Sequence, residues 1–270
     1  MLSFFELESQ KLDKLYELKI KRKLPSTLDV WLQAKIEACL ELVNQDFDPN
    51  ERNEEGETIL EHIIITGRLD LVQFLVEAGA NVNICNNDSE YPLENAARLA
   101  SEDIFNYLEP LTNLKPKHRI FITSTVNHEH KILQRLIASS IDVDSPKEYE
   151  SGRTALIIAV QQGNDRIVKM LFKAGANPNL KDENSGTSPL ISAVKRQYVH
   201  VTRFLLENGA NVNITDRSGF TALETAIKLQ NEKDLSPKKK LRNKKIIDLL
   251  IEAGAKNKFG LQGANFILPI

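Results

Sequence analysis

Leu60, Ile63 and Ile64 are followed by Leu71, Val72, Leu75 and Val76, with polar side chains filling most of the gaps. Spacings of one, three and four put each group on one face of a helix, so 53–84 predicts two short amphipathic helices. Thr58 stands three residues before Glu61, the arrangement of a capping box, and opens the first helix. Gly67 ends that helix and Gly79 the second. Asn53-Glu54-Glu55-Gly56 reads as a tight turn, with Gly56 supplying a backbone shape that a side chain resists. The unit is therefore a turn, a helix, a second helix and a loop through Asn81-Val82-Asn83.

The unit recurs. Gly-Ala-Asn-Val-Asn-Ile occurs at 79–84 and again at 209–214, and Gly-Ala-Asn-Pro-Asn-Leu at 175–180. Asn50, Asn83, Asp144, Asn179 and Asn213 form a ladder with intervals of 33, 61, 35 and 34 residues, the long one close to two short ones. A fixed period in this range predicts a stacked array in which each unit buries its apolar face against its neighbours. Such an array grows by adding units, so 270 residues are expected to make one extended body.

These residues resemble the ankyrin repeat, whose motif runs Asp-x-x-Gly-x-Thr-Pro-Leu-His-x-Ala-Ala, then Gly, Ile-Val, Leu-Leu and Gly-Ala-Asp-Val-Asn. The match is strongest from Gly152 through Thr154, Leu156 and Ala159 to Gly163, Ile167, Val168 and Gly175. It is clear again around Gly186-Thr187-Ser188-Pro189-Leu190 and Gly219-Phe220-Thr221-Ala222-Leu223. A weaker copy keeps Tyr91-Pro92-Leu93 and Ala96-Ala97, while Ser89 and Ala100 replace two glycines. Between Leu114 and Asp144 only Ile132, Leu133, Leu136 and Ile137 mark a helix, the second of its pair. The stretch 109–118, with Pro110 and Pro116, is too short for a full hairpin loop, and the stack should be irregular there. The motif histidine is replaced by Glu61, Glu94, Ile157, Ile191 and Glu224, of which Glu61 and Glu224 can supply its bonds through capping boxes.

The resemblance implies an all-α ankyrin-repeat solenoid of stacked helix-turn-helix units with short hairpin loops. Capping helices are expected at 1–50, as a degenerate repeat, and the array at 51–257. Its weak copies fall at about 85–113 and 114–147, and a tail occupies 258–270. The last unit carries an insertion at 231–245. Gly219 and Gly254 are 35 residues apart where the matching glycines elsewhere are 23 apart. Ser236-Pro237 is a helix start, so the second helix of that unit should gain about two turns.

Charge divides along the chain. Residues 1–150 hold 16 Lys and Arg against 27 Asp and Glu, net −11; residues 151–270 hold 19 against 10, net +9. In a solenoid, order in sequence is order in space, so an acidic half and a basic half are expected, a polarity that acts on encounter and partner choice. Pro237-Lys238-Lys239-Lys240-Leu241-Arg242-Asn243-Lys244-Lys245 resembles a nuclear-localisation peptide or a nucleic-acid patch, although a solvated helix extension explains it as well.

Candidate chemistry is sparse. His128-Glu129-His130 suggests a metal, but residues two apart on a helix do not face one another, and no second cluster supplies further ligands. Neither cysteine, Cys39 or Cys85, stands in a Cys-His pattern. No Gly-rich phosphate loop occurs, and no catalytic or cofactor-binding constellation is present, so no enzyme activity, metal or cofactor is expected. No apolar run approaches the roughly 20 residues of a membrane span. Glu6 and Glu8 near the start argue against an ordinary secretory leader. Two widely spaced thiols fit a reducing cytoplasm.

What the resemblance implies is a non-enzymatic scaffold or adaptor that binds another protein on its concave side. That side would be built from hairpin tips and the exposed ends of the first helices. Mapped onto the chain, it comprises Glu54, Glu55, Glu57, Ile65, Asp88, Glu90 and Leu99, and then Arg153, Lys195, Arg196, Arg217, Phe220, Lys228 and Leu229. Ile65, Leu99, Phe220 and Leu229 would be exposed anchors within a polar rim. The chain is expected to act as a monomer in the cytoplasm. Nucleic acid is the less favoured partner, met through 238–245; a nuclear factor or an exported effector acting inside a host cell are the alternatives.

Overall fold

The structure, a computed structural model, describes residues 48–99, 101–145, 152–232 and 236–256. Among them are twelve α-helices in six consecutive pairs. These are α1 (Ile59–Ile64) with α2 (Leu69–Glu77), α3 (Pro92–Arg98) with α4 (Glu102–Leu108), and α5 (Leu114–Asn127) with α6 (His130–Ala138). Then follow α7 (Ala155–Gln162) with α8 (Asp165–Lys173), α9 (Pro189–Lys195) with α10 (Val199–Glu207), and α11 (Ala222–Gln230) with α12 (Pro237–Glu252). The described residues contain no strand, only one antiparallel bridge between Arg52 and Thr58 at a hairpin tip. The expected capping helices, apart from 48–50, and the expected tail lie outside the described residues.

Contacts divide the chain into two compact units, one up to Ile120 and the other from Phe121. In the first, α1 packs on α2 and α3, and α4 packs on α2 and α3. In the second, α7, α9 and α11 lie side by side in order, with α8, α10 and α12 packed against their own partners.

This arrangement dictates the two helix types. A first helix touches its own second helix and the first helices on either side, so it is apolar nearly all round: every residue from Ala155 to Val160 is buried. A second helix is covered on one side, so Ile167, Val168 and Leu171 are buried while Asp165, Arg166, Lys169 and Lys173 face water. Leu60, Leu75, Leu156, Leu171, Leu190, Leu205, Leu223 and Leu250 occupy matching positions and are all 0–1% exposed. Phe172 of α8 meets Phe204 of α10 edge-on, with ring centres 5.0 Å apart.

The recurring asparagine has a structural task. Asn179 accepts the Asn211 N–H at 2.7 Å and donates to the Gly209 carbonyl at 3.2 Å. Asn50 makes the same pair of bonds to Asn81 and Gly79, at 2.7 and 3.1 Å. Asn83 accepts from Asn113 at 2.8 Å, Asp144 from Asn177 at 3.0 Å, and Asn213 from Lys256 at 2.9 Å. Each side chain thus satisfies backbone groups of the next loop along, which is why it returns once per repeat.

Helix starts also repeat. Glu61, Glu94 and Glu224, which stand where the family motif has histidine, accept the amides of Thr58, Tyr91 and Thr221 at 2.8, 2.8 and 2.9 Å. The box is reciprocal at Thr221, whose hydroxyl takes the Glu224 N–H at 3.2 Å. Four lost glycines leave their backbone shape behind: Ser89, His128, Ser140 and Gln197 hold φ of 61°, 64°, 61° and 57°.

The stretch from 109 to 127 departs from the expectation of a missing first helix. Glu109–Leu111 forms a single 3-10 turn in place of a hairpin, and α5 begins three residues later and runs for 14 residues. Glu109, 2% exposed, is joined to Lys117 at 2.9 Å, which explains how two charged residues occupy an interior position. At the other end α12 has 16 residues where α2, α8 and α10 have nine, the added two turns that the Ser236-Pro237 start predicted.

Candidate functional site

Hairpin tips are built alike. Asn53, Asn86, Asp182 and Asp216 each accept, on a side-chain oxygen, the amide that closes the loop, from Glu57, Glu90, Thr187 and Phe220 at 2.8, 2.9, 2.8 and 3.1 Å. Burial of Asp182 opposes its ionisation, but hydrogen bonds from Ser185, Thr187 and Asn184 outweigh it and hold the carboxyl below its ordinary range. Adjacent tips are tied to each other: the Asn87 N–H donates to the Glu55 carbonyl, and the Arg217 N–H to the Ser185 carbonyl, both at 2.9 Å. Regular tips set their variable side chains at regular intervals.

In the first unit Glu54, Glu55 and Asp88 are exposed on their tips. Glu57 is tied inward, to His62 at 2.8 Å, and Glu90 lies 3.3 Å from Arg98. Leu99 is 46% exposed, as anticipated, whereas Ile65, expected to be an exposed anchor, is half-buried. Beneath this surface Glu61 is 1% exposed, and its Oε1 has no hydrogen-bond partner among the described residues. Burial pushes its carboxyl up to about 7; the Thr58 amide lowers it less than burial raises it, and Glu57 adds repulsion.

The second unit gathers the basic candidates. Arg196, Arg217 and Lys228 are exposed, and Arg153 is half-buried, donating to Gln161 at 2.9 Å. Lys195 reaches Asp216 at 3.5 Å, so its charge is partly matched. Phe220 is 39% exposed with the Lys228 ammonium 5.5 Å from its ring centre. Leu229, expected to be an exposed anchor, is half-buried on α11. Spacing alone hid three features: Arg52 reaching the Cys85 carbonyl at 2.9 Å, Arg119 on Glu94 at 3.0 Å, and the Lys195–Asp216 pair. Each joins residues from different repeats, and only the period itself points to such neighbours.

No group of three or more potential metal ligands occurs among the described residues. His128 has φ of 64° and its Nδ1 lies 2.8 Å from Asn164 Nδ2, so it serves the turn before α6. No helix among the described residues is long and apolar enough to cross a membrane.

Comparison with known proteins agrees with this architecture. A family model for ankyrin repeats in three copies matches residues 30–118, 111–182 and 177–260. Over 135 residues the chain is 33% identical to the nuclear factor NF-kappa-B p105 subunit of Gallus gallus, covering 47% of this chain and 14% of that protein. Over 67 residues it is 37% identical to the human Notch-regulated ankyrin repeat-containing protein, covering 25% of this chain and 59% of that protein. The matches therefore span less than two thirds of either relative. In fold, the chain is similar to the human ASB11 ankyrin repeat domain, with a TM-score of 0.59 at 21% identity over 84% of this chain and 96% of that one. With its paired helices, latched loops and family match running from residue 30 to 260, the chain belongs to the ankyrin-repeat family.

Proposed function

We propose that the chain is a non-enzymatic binding module that holds another protein on the surface formed by its hairpin tips and the C-terminal ends of its first helices. Ankyrin repeats are an interaction family, and tips fixed by their own hydrogen bonds leave side chains there free to vary without cost to the fold.

The observation that carries the reading is Phe220. A large aromatic ring, 39% exposed at a rigid tip, sits among Arg217, Lys228 and the Lys195–Asp216 pair. An apolar anchor inside a charged rim is what a partner needs in order to dock and be held. The setting we propose is the reducing cytoplasm, on the strength of two widely spaced cysteines, with the chain acting as a monomer.

The test is a pull-down with the full chain in about 150 mM and again in higher salt, comparing wild type with Phe220→Ala and with Lys195→Glu/Arg196→Glu. The proposal expects a protein recovered by wild type, depleted by Phe220→Ala and sensitive to salt. Recovery of the same protein in equal amount by all three chains would refute it.

A further inference from the structure

The added turns of α12 carry charge that the fold does not use. Lys238, Lys239, Lys240, Arg242, Lys244 and Lys245 are all exposed, and none makes an ion pair with a described residue. The first turn holds no acidic residue, and the acids of this helix, Asp248 and Glu252, lie in its last turns.

Burial shows where the helix leaves its neighbours. Asn243, Ile246 and Leu250 are each 0% exposed and form one packed line. Lys239, four residues before Asn243 and seven before Ile246, belongs to that same line yet faces water, as does every residue from Ser236 to Arg242. The first turn and a half therefore stand clear of the packed core. Asn243 anchors the emergent part, donating to the Ala226 carbonyl at 2.6 Å and to Gln230 at 3.0 Å.

This segment works against its own electrostatics. The positive end of a helix dipole disfavours cations. Lys238 with Arg242, and Lys240 with Lys244, are like charges four residues apart, which repel on a helix. The conflict disappears when anions surround the segment.

The distribution of the cations selects among anions. Six basic residues stepping by about 100° per residue spread around the whole circumference rather than along one stripe. A flat anionic membrane would engage only one side. A B-form major groove is about 12 Å wide, admits a helix about 10–12 Å across, and has phosphates on both walls. Residues 236–245 contain no aromatic side chain, so the stacking platform of a single-strand binder is missing. We infer that residues 237–245 form a docking site for the phosphate backbones of a duplex nucleic acid, without base specificity. This inference is independent of the protein-binding reading above.

The experiment is fluorescence anisotropy of a labelled duplex of about 20 base pairs with the full chain, from about 50 to about 300 mM salt. A variant with Lys238, Lys239, Lys240, Lys244 and Lys245 each changed to Gln should bind at least about tenfold more weakly and lose roughly 0.9 units of salt slope per phosphate contact removed. Lys169→Gln/Lys173→Gln on α8 should bind like wild type. Thermal melts monitor the fold of each variant, and Lys238→Gln/Lys239→Gln, both fully exposed on the segment that stands clear of the core, serves if the larger variant is unstable. Absence of saturable duplex binding at the lowest salt overturns the inference. So does equal weakening in the α8 variant, which would mean diffuse charge, or tighter binding to the single strand or to phosphatidylserine vesicles than to the duplex.

Discussion

Lys228 holds its ammonium 5.5 Å from the centre of the Phe220 ring, so the last turn of α11 shields the residue that precedes its N-cap. A cation over an aromatic face is attracted by the ring quadrupole, by about 0.5–1 kcal/mol at an exposed site. The contact restrains the ring, and on the proposed reading this would lower the entropy lost when a partner docks.

Kinetics with a purified partner should separate the roles of anchor and rim. Phe220→Ala is expected to speed dissociation, by about 30-fold for a loss near 2 kcal/mol. Lys195→Glu/Arg196→Glu should instead slow association and flatten its dependence on salt, since rim charges act on encounter. Surface plasmon resonance at two ionic strengths reads both; interchanged effects would reverse the assignment.

Core positions permit a sharper check of register. Leu156 and Leu190 are 0% and 1% exposed in successive first helices. Changing either to Ala should cost about 2–5 kcal/mol, the lost transfer energy plus the cavity left behind. Urea unfolding measures it, and a loss below about 1 kcal/mol at both sites would contradict the packing described.

The buried Glu109–Lys117 pair predicts asymmetric mutants. Lys117→Ala leaves a carboxylate that is 3% exposed without its countercharge and should destabilise the chain by about 3–5 kcal/mol. Glu109→Gln/Lys117→Met removes both charges and should recover most of that loss. Equal stability of the single and double variants in urea would argue against a buried pair.

Glu61 sets a pH dependence. Its carboxyl is raised from 4.5 to about 7 by burial, so the folded chain keeps a proton that the unfolded chain releases. Stability therefore falls as pH rises from about 4.5 to about 7 and levels off above, by an amount on the order of 3 kcal/mol. Glu61→Gln, which still offers an oxygen to the Thr58 amide, should match wild type near pH 5 and melt at a higher temperature near pH 8. A wild-type midpoint that does not fall between those pH values relative to the variant would remove the buried proton from the account.

Much of this molecule is a local matter and is written locally. Leu156 and Leu190 lie where three- and four-residue spacing puts them, because a helix face is defined within two turns. Ser236-Pro237 announces a helix start, and the Asn83, Asn179 and Asn213 ladder announces the latch, because each repeat must satisfy the same loop amides. The tip residues Glu54, Glu55, Asp88, Arg217 and Phe220 were legible for the same reason.

Other features depend on groups that arrive from elsewhere. Helix α5 was invisible as a first helix because Lys117, a polar break in the pattern, becomes interior only through Glu109. Ser89 and Gln197 keep the turn of a glycine because the repeat around them imposes it. Ile65 and Leu229 read as exposed anchors, yet both are half-buried in the folded chain. Lys195 and Asp216, 21 residues apart, meet only once two hairpins stack. The sequence by itself determined the repeat, its period and its caps, since these rest on hydrogen bonds and faces within a few residues. Tertiary structure alone decided which charges are matched and which apolar groups stay exposed, since burial and pairing belong to whatever the fold brings alongside.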